Sequence, residues 1–275
     1  MAEFLDRFRR FLMSAPEGRD RPPSVPPGLI LYAIGDIHGE WACLTDLLDL
    51  IREDEAAQPP GLKPVVLFLG DYIDRGPNSR KVVDFLSGQP LPGFRTRFLR
   101  GNHEQALLDF LRDPLEAAPW LEFGGLSTLD SYGVRMRNLG RDRSSLLAAR
   151  DELAQALPAR HLAWLQRLEL YAAYGDYLFV HAGIRPGIAL EEQSPDDLLT
   201  IRTPFLTHRR PHAKRVVHGH TISPAPEILA NRIGIDTGAY ASGVLTAVAL
   251  RGETIRILQS RPENRCFILP MLPSR

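Results

Sequence analysis

Short apolar runs alternate with stretches of helical period through most of the chain. Leu29 to Ile34, Val65 to Leu69, Phe94 to Leu99, Tyr177 to Val180 and Arg215 to Val217 read as strands, several of them apolar enough to be buried on both faces. Between them, Trp41 to Arg52, Ser79 to Leu86 and Glu104 to Leu111 carry apolar residues at helical period. Two further helices are predicted, one from Ser144 to Leu157 and one opened by Pro158 and running through Leu168. Such alternation implies an α/β chain. Towards the end, Ile233 to Ile235, Val244 to Leu250 and Thr254 to Leu258 form short strands around Gly243 and Gly252, a second sheet or an extension of the first. At the other end, Phe4, Leu5, Phe8, Phe11 and Leu12 share helical spacing with Arg7, Arg9 and Arg10 elsewhere around the turn, which predicts an amphipathic helix over residues 1–15. Its apolar face is expected to pack on its own domain, with docking on a partner or a membrane surface as the alternative. Pro16, Pro22, Pro23, Pro26 and Pro27 predict an extended linker over residues 16–28 and place the main domain at 29–275.

Composition narrows the function. The 33 basic and 33 acidic residues cancel, so no general affinity for nucleic acid or anionic membrane is expected. Apolar residues at 44% and charged residues at 24% are ordinary for a soluble enzyme of 275 residues. The two cysteines, Cys43 and Cys266, form no Cys-x-x-Cys motif and are expected to pack in the interior in a reducing cytoplasm. No apolar run approaches the ~20 residues of a membrane span, and the first residues lack the apolar core of a signal peptide. A cytoplasmic location is the expectation.

The chemistry gathers at the strand ends. Asp36 and His38 follow Ile34, Asp71 follows Leu69, Asn102 and His103 follow Leu99, His181 follows Val180, and His218 and His220 follow Val217. One histidine beside one strand is usually structural, but five strands that each run into a metal-capable residue point to a single site, since open α/β sheets place their chemistry at carboxyl ends. Glycines flank most of these positions, as backbones crowded around ions require. Asp71, with two carboxylate oxygens, can touch two cations and is read as the bridge of a two-metal centre. Oxygen and imidazole donors without thiolate suit manganese, iron or zinc better than calcium.

Five segments, Gly35-Asp36-Ile37-His38-Gly39, Gly70-Asp71-Tyr72-Ile73-Asp74-Arg75-Gly76, Gly101-Asn102-His103-Glu104, His181-Ala182-Gly183 and Gly219-His220-Thr221, closely resemble the motifs of calcineurin-like metallophosphoesterases, in order from about Leu29 to Leu250. Within that superfamily the phosphoprotein phosphatase branch is the nearest likeness. The resemblance implies an α/β (α+β) sandwich of two mixed sheets flanked by helices, with two divalent metal ions above it, manganese foremost and iron or zinc as alternatives. It gives Asp36, His38 and Asp71 to the first ion and Asp71, Asn102, His181 and His220 to the second. It implies in-line attack of a metal-bound hydroxide on phosphorus. His103 matches the general acid, oriented and held charged by Asp74, and Arg75 would grip phosphoryl oxygens with its planar fork. Arg202 resembles a second phosphate-binding arginine; Asn102 and Tyr240 complete the expected pocket. His218, two residues before His220, would face the same side of a continuous strand and is read as a hydrogen-bonding partner behind the ligands. Glu104 most simply opens a helix.

Two stretches bear on the substrate. Residues 202–215 hold five basic residues, two histidines and no acidic one, and either draw a polyanion or form a solvated loop. Phe123 to Tyr132 brings Gly124 and Gly125 towards the mouth. The expected activity is hydrolysis of phosphomonoesters, with serine or threonine phosphoprotein first and other small phosphoesters next. A dinucleoside polyphosphate hydrolase and, in another class, an inactive phosphate-binding scaffold are the alternatives.

Overall fold

The computed structural model describes residues 21–88, 90–136, 142–260 and 267–269. The predicted amino-terminal helix and Cys266 lie outside the described residues. In chain order the elements are β1 (Leu29–Ile34), α1 (Trp41–Ala56), β2 (Lys63–Phe68), α2 (Ser79–Leu86), β3 (Arg95–Phe98), α3 (Asn102–Arg112), a 3-10 turn (Ala118–Phe123) and α4 (Gly125–Ser131). Then come α5 (Arg143–Ala156), α6 (Ala159–Gln166), β4 (Tyr171–Tyr174), β5 (Tyr177–Val180), α7 (Pro195–Thr200), α8 (Thr203–Leu206), β6 (Arg215–His218), β7 (Glu227–Ile228) and β8 (Arg232–Gly234). The chain closes with α9 (Ala239–Ser242), β9 (Leu245–Arg251), β10 (Thr254–Ser260) and β11 (Phe267–Leu269).

The strands form two mixed sheets, one in the order β11-β10-β9-β1-β2-β3 and the other in the order β4-β5-β6-β8-β7. Alternation along β1 shows why they stack: Leu31 and Ala33 join Val65, Leu67, Val248 and Leu250 against Phe179, Val217 and Ile233 of the second sheet, while Ile30, Tyr32 and Ile34 face the helices. Helices α1, α2, α3, α5 and α6 cover that outer face through residues such as Leu44, Val82, Leu107, Leu153 and Leu165, and α7 and α8 cover the second sheet through Leu198 and Phe205. The stretch expected as a linker is packed over its described part. Val25 is buried between the sheets, its N–H bonds Gly252 O at 3.0 Å, and the Ser24 N–H bonds the Asp176 carboxylate at 3.0 Å.

Two features of this topology build one site. β1, β2 and β3 are neighbouring parallel strands, and so are β5, β6 and β8. Their six carboxyl ends therefore release the chain at the same end of the sandwich.

Candidate active site

Each of those ends supplies a metal-capable side chain. Asp36 and His38 lie on the turn after β1, Asp71 on the turn after β2, and Asn102 and His103 open α3; His181 follows β5, His220 lies two residues past β6, and Asp236 two past β8. Ligand atoms of His38, Asp71 and His103 lie within 4.8 Å of one another, as do those of Asp71, His181 and His220. Asp71 belongs to both groups. Its Oδ2 is 3.6 Å from His38 Nε2, 3.5 Å from His181 Nε2 and 3.7 Å from His103 Nε2.

The backbone is bent sharply to achieve this. Among the described residues, five that are not glycine have positive φ: His38 (47°), Asp71 (51°), Asp74 (73°), Arg75 (67°) and His220 (61°). All five stand at this site, where the left-handed region costs energy that the surrounding contacts must offset. Hydrogen bonds between the turns hold them: the N–H groups of Ile37 and His38 both bond Asp71 O at 2.9 Å, and Gly39 N–H bonds Tyr72 O at 2.8 Å. Glu104 ties the second and third motifs together. Its buried carboxylate accepts from Gly101 N–H and Asp71 N–H, both at 2.9 Å, and from Tyr72 N–H at 2.8 Å. Side chains crowd the backbone so closely that a Cβ on Gly219 would lie 2.0 Å from Asp36 Oδ1, and one on Gly101 2.0 Å from Asp71 Oδ1.

Hydrogen bonding fixes how the histidines face the centre. His38 Nδ1 lies 2.8 Å from Ile73 O and His181 Nδ1 2.9 Å from Leu69 O. A carbonyl only accepts, so Nδ1 carries the proton in both rings and Nε2 turns a lone pair inward. Burial pushes the pKa of His38 and of His220 down to about 3 each and lowers that of His181, which keeps all three neutral, as ligation requires. Three carboxyl groups share the same enclosure. Burial raises Asp36 well above its ordinary value, with Asp236 and Asp71 adding repulsion; Asp236 is raised by burial too and hydrogen-bonds Asp36. For Asp71, burial pulls upward but the surrounding histidines, His181 first, win and lower it.

These donors fit divalent cations. His181 Nε2 and Asn102 Oδ1 stand 3.0 Å apart, two acceptors directed at each other beside a third, Asp71 Oδ2. Buried carboxylates outnumber nearby guanidinium groups, and among the described residues Arg75 is the one that contacts the imidazole nitrogens of the site. Convergent lone pairs with excess negative charge are what a hard or borderline cation satisfies.

His103 is differently placed. Its Nδ1 is 2.6 Å from Asp74 Oδ2, which also accepts the Trp120 indole N–H at 2.7 Å. Burial opposes charge on this ring, but Asp71 and Asp74 together overcome it and raise its pKa. Arg75 spans the two imidazoles, NH1 2.8 Å from His38 Nε2 and NH2 3.2 Å from His103 Nε2, and its Cζ lies 4.7 Å from the centre of the Tyr240 ring. Arg202 is exposed beside the same centre, within 3.4 Å of His220 O.

The family model for calcineurin-like phosphoesterases matches residues 31–230. The chain belongs to the calcineurin-like phosphoesterases. It is 34% identical over 158 residues to the symmetrical bis(5′-nucleosyl)-tetraphosphatase of Methylococcus capsulatus, which covers 58% of this chain but only 44% of that protein. Over 257 residues it is 27% identical to the asymmetrical bis(5′-nucleosyl)-tetraphosphatase PrpE of Anoxybacillus flavithermus, covering 85% of this chain and 96% of that one. The crystal structure of a candidate diadenosine tetraphosphatase shares the fold, with a TM-score of 0.59 at 21% identity over 87% of this chain and 99% of the other.

Two expectations for this phosphoesterase are revised by its structure, and one site residue is added. His218 faces away from the centre: β6 ends at His218, and the positive φ of His220 breaks the strand alternation that would have put both rings on one side. The His218 ring instead packs edge-on against Phe205, centroids 5.0 Å apart, with Nδ1 3.0 Å from Gly219 O. Residues 202–215 are not one substrate-facing loop. Arg202 stands at the centre, but Lys214 bonds Gly175 O on the β4–β5 turn, at the opposite end of β6, and His212 is stacked on Phe205. Asp236 is the site residue that the sequence reading passed over. It follows the apolar run Ile233 to Ile235 just as the expected ligands follow theirs, which is the signal that finds it. The Phe123–Tyr132 stretch does reach the site, since Gly124 O accepts the Arg75 N–H at 3.3 Å and Thr128 Oγ1 meets Asp74 Oδ1 at 2.5 Å.

Proposed function

We propose that this phosphoesterase hydrolyses dinucleoside polyphosphates of the diadenosine tetraphosphate class. The observation that carries the reading is the match to an asymmetrical bis(5′-nucleosyl)-tetraphosphatase, which covers 85% of this chain and 96% of that protein. Phosphoprotein, the first expectation, becomes the second reading, because tetraphosphatases share nearly all the motifs that suggested it. The argument for a polyanion from residues 202–215 is narrower than expected, resting on Arg202 beside the centre, while Lys214 bonds Gly175 O at the other end of β6.

Asp36, His38 and Asp71 would hold one divalent ion and Asp71, Asn102, His181 and His220 the other, manganese first, with iron and zinc as alternatives. Such ions polarise phosphoryl oxygens and supply a water of lowered pKa. The chain's own groups do the rest. Arg75 moves its guanidinium from the two Nε2 atoms to phosphoryl oxygens, a bidentate match. Once relieved of that donor, His103 Nε2 carries the proton that Asp71 and Asp74 favour and delivers it to the leaving oxygen. Arg202 holds a second phosphate at the rim.

A panel of diadenosine tetraphosphate, a phosphothreonine peptide and p-nitrophenyl phosphate at saturating manganese tests the proposal. The expected kcat/KM for the tetraphosphate exceeds the others by roughly tenfold or more, about 1.4 kcal/mol of transition-state preference. A higher value for the peptide would overturn it.

A further inference from the structure

The described residues expose five large apolar side chains: Phe123, Leu126, Ile188, Ile222 and Tyr240. Four of them rim the metal-capable centre. Phe123, 63% exposed, ends the 3-10 turn and leads into Gly124, where an added Cβ would lie 2.6 Å from Arg75 N and 2.8 Å from Arg75 Cγ, with Leu126 just beyond. On the other side, Tyr240 lies over the Arg75 guanidinium and meets the His38 ring edge-on, centroids 5.5 Å apart. Ile222 packs on Gly238, two residues from Tyr240 and two from His220. The floor of the site is charged and its rim is apolar, with an exposed aromatic ring on each arm around Arg75. Among the described residues no other ring or cation packs on Tyr240, and none on Phe123.

Exposed apolar groups gathered at one place mark a surface that a ligand covers. A substrate that Arg75 holds by a phosphoryl group brings its next, non-phosphate portion onto these rings. Planar aromatic faces suit a planar π-system above all, and stacking accepts any base because every base has a π-face. We infer that Phe123 and Tyr240 form a nucleobase-stacking subsite, framed by Leu126 and Ile222, which selects nucleoside polyphosphates over bare polyphosphate and over phosphopeptides. This deepens the dinucleoside polyphosphate reading and rests on it.

The test pairs diadenosine tetraphosphate with inorganic tetraphosphate, which offers the same phosphates without bases. Phe123→Ala is expected to lower kcat/KM for the dinucleotide roughly tenfold, chiefly through KM, and to leave inorganic tetraphosphate within about twofold. Tyr240→Leu lowers kcat/KM for the dinucleotide, and Tyr240→Phe, which keeps the ring, restores it. For Phe123→Ala, equal losses on both substrates, or none on the dinucleotide, would overturn the subsite. Calorimetry with adenosine 5′-monophosphate against inorganic phosphate separates the two proposals. A wild-type chain that binds the nucleotide more tightly, through Phe123, but does not hydrolyse the tetraphosphate keeps the stacking subsite and retires the tetraphosphatase reading. One that binds both alike, or prefers a phosphopeptide independently of Phe123, retires the subsite.

Discussion

Asp74→Asn isolates the charge that prepares His103. Asp74 and His103 are both fully enclosed, and their atoms meet at 2.6 Å. The substitution preserves the packing, because the amide oxygen can take the place of Oδ2, accepting from His103 Nδ1 and Trp120 Nε1. The amide N–H₂ then turns to Thr128 Oγ1, which already accepts the Asp74 backbone N–H at 3.0 Å and can donate to Ser79 Oγ at 3.1 Å. What disappears is the negative charge. A carboxylate at this range raises a histidine by roughly 1–3 pKa units. His103, whose pKa is raised only because Asp71 and Asp74 together outweigh burial, is left with Asp71 alone. The basic limb of the kcat–pH profile, where the acid loses its proton, is expected to move down by about 1–3 units. Above that limb an alkyl phosphomonoester, a poor leaving group, should lose roughly 10- to 1000-fold in kcat and recover as pH is lowered. p-Nitrophenyl phosphate, whose leaving group needs little protonation, should lose far less. Equal losses for both substrates, or an unmoved basic limb, would refute the general-acid assignment.

His181→Asn should release bound metal, measured by elemental analysis of the purified chain, while His103→Asn keeps the metal and loses turnover on alkyl phosphates by roughly 10²–10⁴-fold. Gly219→Ala should also reduce metal content, since its Cβ would displace the Asp36 carboxylate now 2.0 Å from that position. His218, buried with its pKa lowered to about 4 from 6.5, carries a cost that is absent above pH 6.5 and grows as pH falls, because the unfolded chain takes up the proton first. His218→Phe should therefore remove about 3 kcal/mol of acid destabilisation between pH 6.5 and pH 4, read from urea melts at the two pH values against wild type.

The sequence carried the strands that deliver the site, because each is a dense apolar run broken by a charged or polar turn. β1 and β5 match their predicted spans, and β2, β3 and β6 differ by a residue or two at their ends. β4, β7 and β11 were not legible: Tyr171–Tyr174 alternates too briefly, Glu227–Ile228 is a two-residue pairing, and Phe267–Leu269 is only three residues long. Local dihedrals were hidden as well. Asp and His tolerate positive φ better than most residues, but residue type alone does not say that His38, Asp71, Asp74 and Arg75 all adopt it, which tertiary contact decides. The same blindness misplaced His218, where strand periodicity was extended one turn too far. Glu104, read as a helix opener, does accept the Gly101 N–H at that helix start, but its larger role of clamping the Asp71 turn depends on two loops meeting in space.

Anomalous scattering from crystals grown with manganese tests the central claim most directly. Two peaks are expected about 3.5–4 Å apart, the spacing of two-metal hydrolases. Asp71 should lie between them, with His38 and Asp36 on one ion and Asn102, His181 and His220 on the other. A single ion at full occupancy, or two ions that do not share Asp71, would contradict the account.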